Sequence, residues 1–156
     1  MKLLSRGFSF FIVIFLALTA TTQAQGTLVK DAWIRGVPPS AKSTAAFMTI
    51  QNNGTDEMFL ISAASEIAEL VQIHTMEHVG EMMKMKEVKE IRVPANDEVV
   101  LAPMGYHIML IGLIRPITEG ETIPLSLNFS DGTKVSVDAV VKKWGHMGHQ
   151  MGHKHQ

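Results

Sequence analysis

The stretch TIPLSLNF-SDG-TKVSVDAVV, residues 122–141, decides the fold class of this chain. Two strand candidates, Thr122–Phe129 and Thr133–Val141, flank Ser130-Asp131-Gly132. Asp-Gly between two strand-like runs is a strong hairpin signal, because both residues tolerate the backbone angles of a tight turn. The stretch therefore predicts two antiparallel strands near the end of the folded part.

Upstream of this hairpin, the chain continues as short strand candidates separated by turn signals. They are Leu28–Val37, Thr44–Gln51, Met58–Ala63, Leu70–His78, Met82–Val88, Glu98–Leu101 and Tyr106–Leu113. Only Ser65–Leu70 hints at a helical turn. Many short strands without a long helical period predict an all-β fold, an antiparallel sandwich or barrel.

Both ends of the chain differ in composition from this middle part. Residues 1–24 have a positive start, an apolar run and small residues before Ala24, which predicts a secretory signal peptide cleaved after Ala24. A membrane anchor is the alternative, but the apolar run is about half the ~20 residues that a spanning helix needs. We expect one domain over residues 25–143 and a disordered tail over residues 144–156.

Composition limits the classes of function. The signal contains two of the 14 basic residues, so the mature chain has 12 basic against 15 acidic side chains and no nucleic-acid footprint. Cysteine is absent, which removes disulfides, a thiolate ligand, a thiolate nucleophile and a cysteine-linked lipid anchor. The 11 methionines and 7 histidines are the soft and borderline metal ligands that remain usable in an oxidising compartment.

Methionine and histidine concentrate between Leu70 and Gly112. Side chains two apart on a strand share a face, which groups His74 with Met76, Met83 with Met85 and His107 with Met109. A hairpin with Val79-Gly80 at its tip would place His74 opposite Met85, and Met76 opposite Met83. Directly opposed side chains lie close enough to bridge one ion.

The donors in this segment suit one kind of metal. Two imidazoles and two thioethers favour a soft ion of low charge, Cu(I), over Zn(II), Mg(II) or Ca(II). No carboxylate lies in the set, which argues against hard cations.

The spacing of four of these residues then becomes specific. His74 is followed after ten residues by Met85, after twenty-one more by His107, and after one more by Met109. This pattern resembles the signature of the PCu(A)C family of periplasmic copper chaperones, and the flanking text matches over Asp31–Arg35, Ala45–Ile50, His74–Met76 and Met104–Leu110. The resemblance covers roughly Leu28 to Val141. His78 departs from it, since methionine is expected there in many relatives.

The resemblance implies a fold, a cargo and a destination. It implies a cupredoxin-like β-barrel that carries Cu(I) in the periplasm on His74, Met85, His107 and Met109. It also implies a part in assembling the copper-A centre of cytochrome c oxidase. The expected partners are the copper subunit of that oxidase or a thiol-containing copper chaperone, with no nucleic acid and no membrane span after signal cleavage.

Other methionines and histidines receive different interpretations. Met76, His78, Met83 and Met104 are secondary candidates that would line the site. Met48, Met58 and Met82 are interpreted as core residues, because methionine on a strand usually fills packing gaps. The tail predicts a second site, with Cu(II) as its ion, from His146, Met147, His149, Met151, His153 and His155.

Four functions compete for such a chain. A metallochaperone accounts for all the donors, and a copper storage or resistance protein would share them. An electron-transfer cupredoxin would need a cysteine thiolate, which this chain lacks. An enzyme would need an acid–base pair or a nucleophile that the sequence does not supply, so we expect no catalysis.

Overall fold

The computed structural model describes residues 26–143, and these residues form ten β-strands and no helix. The strands are β1 (Thr27–Arg35), β2 (Ser43–Asn52), β3 (Met58–Ala64), β4 (Ala68–Val79), β5 (Met82–Glu87), β6 (Ile91–Val93), β7 (Asp97–Leu101), β8 (His107–Leu113), β9 (Thr122–Phe129) and β10 (Lys134–Lys142). Within this part of the chain, no helix is available to cross a membrane. The signal peptide and tail predictions fall on residues 1–24 and 144–156, outside the described range.

The hairpin predicted for residues 122–141 is present. Strands β9 and β10 pair antiparallel, with Leu127 opposite Val135 and Leu125 opposite Val137. Gly132 at the turn has φ +86°, a left-handed angle that glycine adopts without a steric penalty. The Asp131 carboxylate accepts hydrogen bonds from the backbone N–H of Thr133 (2.9 Å) and from its hydroxyl (2.8 Å), which holds the turn.

The strands form one open sheet in the order β5-β4-β8-β2-β1-β10-β9-β3-β6. Strand β2 is long enough to pair with β8 along Ser43–Ala46 and with β7 along Met48–Asn52 on the same side. The pair β1–β10 is parallel and every other pair is antiparallel. The predicted all-β, cupredoxin-like fold is confirmed.

Alternation along the strands separates two faces of the sheet. On β9, Ile123, Leu125, Leu127 and Phe129 are buried while the residues between them face outward. The main core takes the even positions of β2 and β8, such as Met48 and Ile108. Odd positions of the same strands face a second, small cluster formed by Trp33, Ala45 and Phe47, with Met109 packed against it.

Two predictions about secondary structure are wrong. Residues 66–67 form only a turn where a helical turn was expected, and β4 begins at Ala68. Strand β6 was missed, because it has only three residues amid charged ones. Its Ile91 and Val93 are nevertheless buried while Arg92 is exposed.

The predicted hairpin Leu70–Val88 exists, but its predicted register is wrong. Val79 pairs with Met82 around a two-residue turn, Gly80-Glu81, so the tip lies one residue later than expected. Gly80 has φ +64°, and glycine at the first of two loop residues is typical of a type II′ turn. Every partner on β5 therefore moves by two residues. Met82, interpreted as core, is 62% exposed on this hairpin, whereas Met48 and Met58 are buried as predicted.

The loop after β2 depends on one buried amide. Asn52 donates hydrogen bonds from Nδ2 to the carbonyls of Asp56 (2.8 Å) and Val93 (3.3 Å), and its Oδ1 accepts one from the N–H of Gly54 (2.9 Å). Its neighbour Asn53 is exposed and donates only to the carbonyl of Gly26 (3.0 Å).

We predict that Asn52→Ala lowers the free energy of unfolding by about 2–3 kcal/mol, because it leaves buried backbone groups without partners. The matched control Asn53→Ala should cost less than about 1 kcal/mol. Urea unfolding followed by circular dichroism measures both. Equal losses in the two variants would contradict this account of the loop.

Candidate metal centre

The candidate site is built where β4 runs beside β8. Their register pairs Gln72 with Met109 and His74 with His107, so all four side chains point to the same face of the sheet. Ile73 and Ile108, which lie between them, point into the main core on the opposite face. Alternation thus fixes the two histidines side by side, with ring centroids 5.9 Å apart.

The corrected register of β4 and β5 changes which residues are directly opposed. Met85 lies opposite Met76, and Glu87 lies opposite His74. A shift of two residues keeps every side chain on its original face, because strand side chains alternate with a period of two. Met85 therefore still shares a face with His74 and His107, as a diagonal neighbour of His74.

Each histidine has one ring nitrogen hydrogen-bonded and the other left over. The Nδ1 of His107 lies 2.9 Å from the carbonyl oxygen of Gly105, and the Nε2 of His74 lies 3.1 Å from Oε1 of Gln72. Both partners accept, so each of these nitrogens must carry the proton. His107 Nε2 and His74 Nδ1 are then unprotonated, and both are buried without a hydrogen-bond partner within residues 26–143. A buried lone pair without a partner is costly unless something binds to it.

A pocket of about 380 Å³ is lined by His107, whereas His74, on β4, lies next to His107 and is not one of the lining residues. His107 and Met109 form its floor, and Met76 and Met85 of the hairpin form one wall. Its other lining residues come from β1, β2 and two loops: Arg35, Val37, Ser43, Thr44, Ala45, Phe47, Pro103 and Met104. The pocket is therefore mostly apolar, with thioether sulfurs among its few soft donors.

Burial and the neighbouring groups act in opposite directions on the pKa of His74. Burial, then the nearby His107, lowers the pKa of His74, while the carboxylate of Glu87 opposes this shift. Burial also lowers the pKa of Arg35, whose guanidinium lies 5.5 Å from the centre of the Phe47 ring. His74 thus keeps its neutral form, the form that can bind a metal, to lower pH than an ordinary histidine.

The secondary candidates divide into two groups. Met76 and Met104 line the pocket, and Met104 is 64% exposed at its mouth; their place beside a metal stays a prediction. His78 and Met83 do not line it; they pair with each other farther along the hairpin. The tail candidates His146, Met147, His149, Met151, His153 and His155 lie outside the described residues, so the Cu(II) site stays a prediction.

Sequence reasoning missed the groups that orient the histidines. Gln72 lies two residues before His74 and therefore on the same face, a signal that the sequence did offer. Gly105 acts through its backbone carbonyl, which no side-chain pattern reports. Among the described residues, no group of three or more His, Asp or Glu side chains could hold a metal ion, so a metal here would depend on methionine.

The comparisons with known proteins agree with this fold. Residues 27–141 match the model of a family described as "Putative lipoprotein LpqE-like". The chain belongs to the LpqE-like family. A relative, "Putative lipoprotein Lxx21020" of Leifsonia xyli subsp. xyli, is 36% identical over 127 residues, which cover 81% of this chain and 75% of that protein.

Solved structures extend the comparison of this LpqE-like chain. The solution structure of Cu(I)-bound DR1885 from Deinococcus radiodurans is 37% identical with a TM-score of 0.63, covering 81% of this chain and 85% of that one. The copper-bound PCuAC domain of PmoF2 is 22% identical with a TM-score of 0.62, covering 74% and 91%. The resemblance to PCu(A)C proteins is confirmed, and the second structure supports it at the level of the fold.

We predict that, in the metal-free protein, His107 carries its proton on Nδ1 and His74 carries its proton on Nε2. His74 should also titrate below the ordinary histidine pKa of about 6.5. Long-range ¹H–¹⁵N NMR of the imidazole rings across a pH series measures both properties. The opposite tautomers, or a His74 that titrates at or above the ordinary histidine pKa, would contradict the geometry described for the site.

Proposed function

We propose that this chain is a copper metallochaperone that binds Cu(I) through His74, Met85, His107 and Met109 and delivers it to a cuproenzyme. The acceptor we propose is the copper subunit of cytochrome c oxidase, during assembly of its copper-A centre. Relatives described as lipoproteins support an exported, periplasmic location. Copper-bound relatives support the cargo, since DR1885 was solved with Cu(I) and the PmoF2 domain with copper.

One observation carries the proposal. Two neighbouring imidazoles, His74 and His107, each present a buried ring nitrogen for which residues 26–143 offer no hydrogen-bond partner. Their other nitrogens are held by Gln72 and Gly105, the kind of outer partner that orients a metal-bound histidine. The thioethers of Met85 and Met109 share this face, and a set of imidazole and thioether suits Cu(I).

Charge supports an ion of low valence. All four proposed ligands are neutral, so a bound Cu(I) leaves one positive charge at the site. Glu87, directly opposite His74, lies near enough to favour that charge. A divalent ion would leave twice the charge beside the same Glu87 carboxylate and the Arg35 cation that lines the pocket.

The position of Met85 supports release of the cargo. Met85 is 51% exposed on an edge strand, whereas His107 is 4% exposed at the pocket floor. A ligand atom of the copper-accepting protein could therefore displace Met85 while the histidines still hold the ion. Thioethers are neutral, weaker donors than thiolates, and the Arg35 cation in the pocket wall would favour an incoming thiolate.

We predict that Met85→Ala weakens Cu(I) binding by more than about tenfold. Loss of a residue that only orients a ligand costs about tenfold or more, and loss of the ligand itself should cost at least as much. The matched variant Met76→Ala removes the residue directly opposite and should weaken binding less. Competition for one equivalent of Cu(I) against a chromophoric chelator measures both. A larger loss from Met76→Ala would assign the thioether ligand to Met76 instead.

We predict that the Cu(I)-loaded chain passes its copper to the apo copper-binding domain of an oxidase subunit, because thiolates outcompete thioethers for Cu(I). The same domain with alkylated cysteines is the control and should receive none. Metal analysis after chromatographic separation gives the result. Retention of all copper by the chain would favour the alternative, a storage or resistance protein, and turnover of a substrate would favour an enzyme.

A further inference from the structure

We propose that His78 and Met83 form an outer Cu(I) site on the β4–β5 hairpin, from which the ion moves to and from the pocket. This inference rests on the proposed function, because it gives the inner site a route to the surface. The two residues are direct partners in the hairpin register, so their side chains stand side by side on one face. One imidazole and one thioether form a small soft donor pair.

The two faces of the hairpin have different chemistry. One face carries His74, Met76 and His78 on β4, and Met83, Met85 and Glu87 on β5. The opposite face carries charged residues toward its middle. There, Glu77 forms an ion pair with Lys86 at 3.2 Å and lies opposite Lys84. Histidine and methionine occupy five of the six positions on the first face, where Glu87 is the one charged residue, whereas Glu77, Lys84 and Lys86 lie on the opposite face. The concentration of thioether and imidazole on one face favours a metal-related role.

The outer pair lies in line with the pocket. Same-face neighbours on a strand are about 6.8 Å apart, because each residue advances the strand by about 3.4 Å. The pair His78–Met83 is thus one such step from Met76–Met85, and Met76 and Met85 line the pocket. The pair His78–Met83 comes first, at the hairpin tip. The pair Met76–Met85 comes next, and then His74, which lies beside the buried His107.

Burial increases along β4 from His78 at the hairpin tip toward the pocket, whereas β5 stays exposed at Met85. Strand β8 pairs with β4 only as far as His74, so residues 75–79 extend beyond their neighbour. His78 is exposed and Met83 is half-buried, while His107 is buried. An ion or a partner protein can therefore reach His78 at the hairpin tip as well as the exposed Met85.

The transfer step exchanges ligands and leaves the oxidation state unchanged. The ion keeps its single positive charge as Cu(I) while bonds to His78 nitrogen and Met83 sulfur break. Bonds to Met85 sulfur and His107 nitrogen form in their place. The charge of the protein is constant because all four donors are neutral, so no oxidant, reductant or proton is needed.

Binding is tested on the full chain with Ag(I), a diamagnetic probe with the soft-ligand preference of Cu(I). NMR follows the methyl groups of ¹³C-methyl methionine and the histidine rings while up to three equivalents are added. We expect the Met83 methyl and the His78 ring to shift in a step separate from that of Met109. His78→Ala should abolish the Met83 shift and leave the Met109 shift intact.

Met82→Ala is the matched control, because Met82 is adjacent and exposed but points to the opposite face. It should leave both steps unchanged. Met83 and His78 signals that stay fixed while Met109 shifts would overturn this inference alone. Signals of Met109 and His107 that stay fixed would instead overturn the proposed inner site.

The transfer route has its own measurement. Stopped-flow transfer of Cu(I) from the full chain to a thiolate acceptor should be at least about fivefold slower in Met83→Ala than in Met82→Ala. The equilibrium affinity of the inner site should be equal in the two variants. Equal transfer rates would overturn the route even if the outer pair binds Ag(I).

Discussion

The pairing of β4 with β8 is the constraint on which the rest of the site depends. It places His74 directly opposite His107 and, through strand alternation, sends both away from the main core that receives Ile73 and Ile108. The same pairing brings Gln72 beside Met109, so one backbone ladder positions two imidazoles, a thioether and an orienting amide. The small cluster of Trp33, Ala45 and Phe47 supports this face from β1 and β2.

Much of the fold followed from local signals in the sequence. The Asp131-Gly132 turn and the short apolar runs located nine of the ten described strands, since turn chemistry and strand length act over a few residues. Strand β6 was missed, because a three-residue edge strand among charged residues is stabilised by tertiary contact with β3. The open order of the strands is set by long-range packing that the local patterns do not encode.

The residues proposed for the site could be named from the sequence, but the prediction of their geometry was incomplete. Strand alternation together with the predicted Val79-Gly80 hairpin placed His74 and Met85 on one face, and this result survived a register error because the error was two residues. The glycine-first turn at Gly80 determined the true register, and Val-Gly is a weak local signal for it. The tautomers depend on Gln72 and on the Gly105 carbonyl, which only the folded chain brings into contact. Together these features place a buried His107 and an exposed Met85 on one face, an arrangement that suits the proposed carrier role.

The central claim is that one Cu(I) ion is held by two imidazole nitrogens and two thioether sulfurs in the folded domain. Extended X-ray absorption fine structure at the copper edge, on the full chain with one equivalent of Cu(I), tests this most directly. The account predicts two nitrogen and two sulfur neighbours, and the loss of one sulfur in Met109→Leu. A copper shell made only of nitrogen or oxygen, or one unchanged by Met109→Leu, would contradict it.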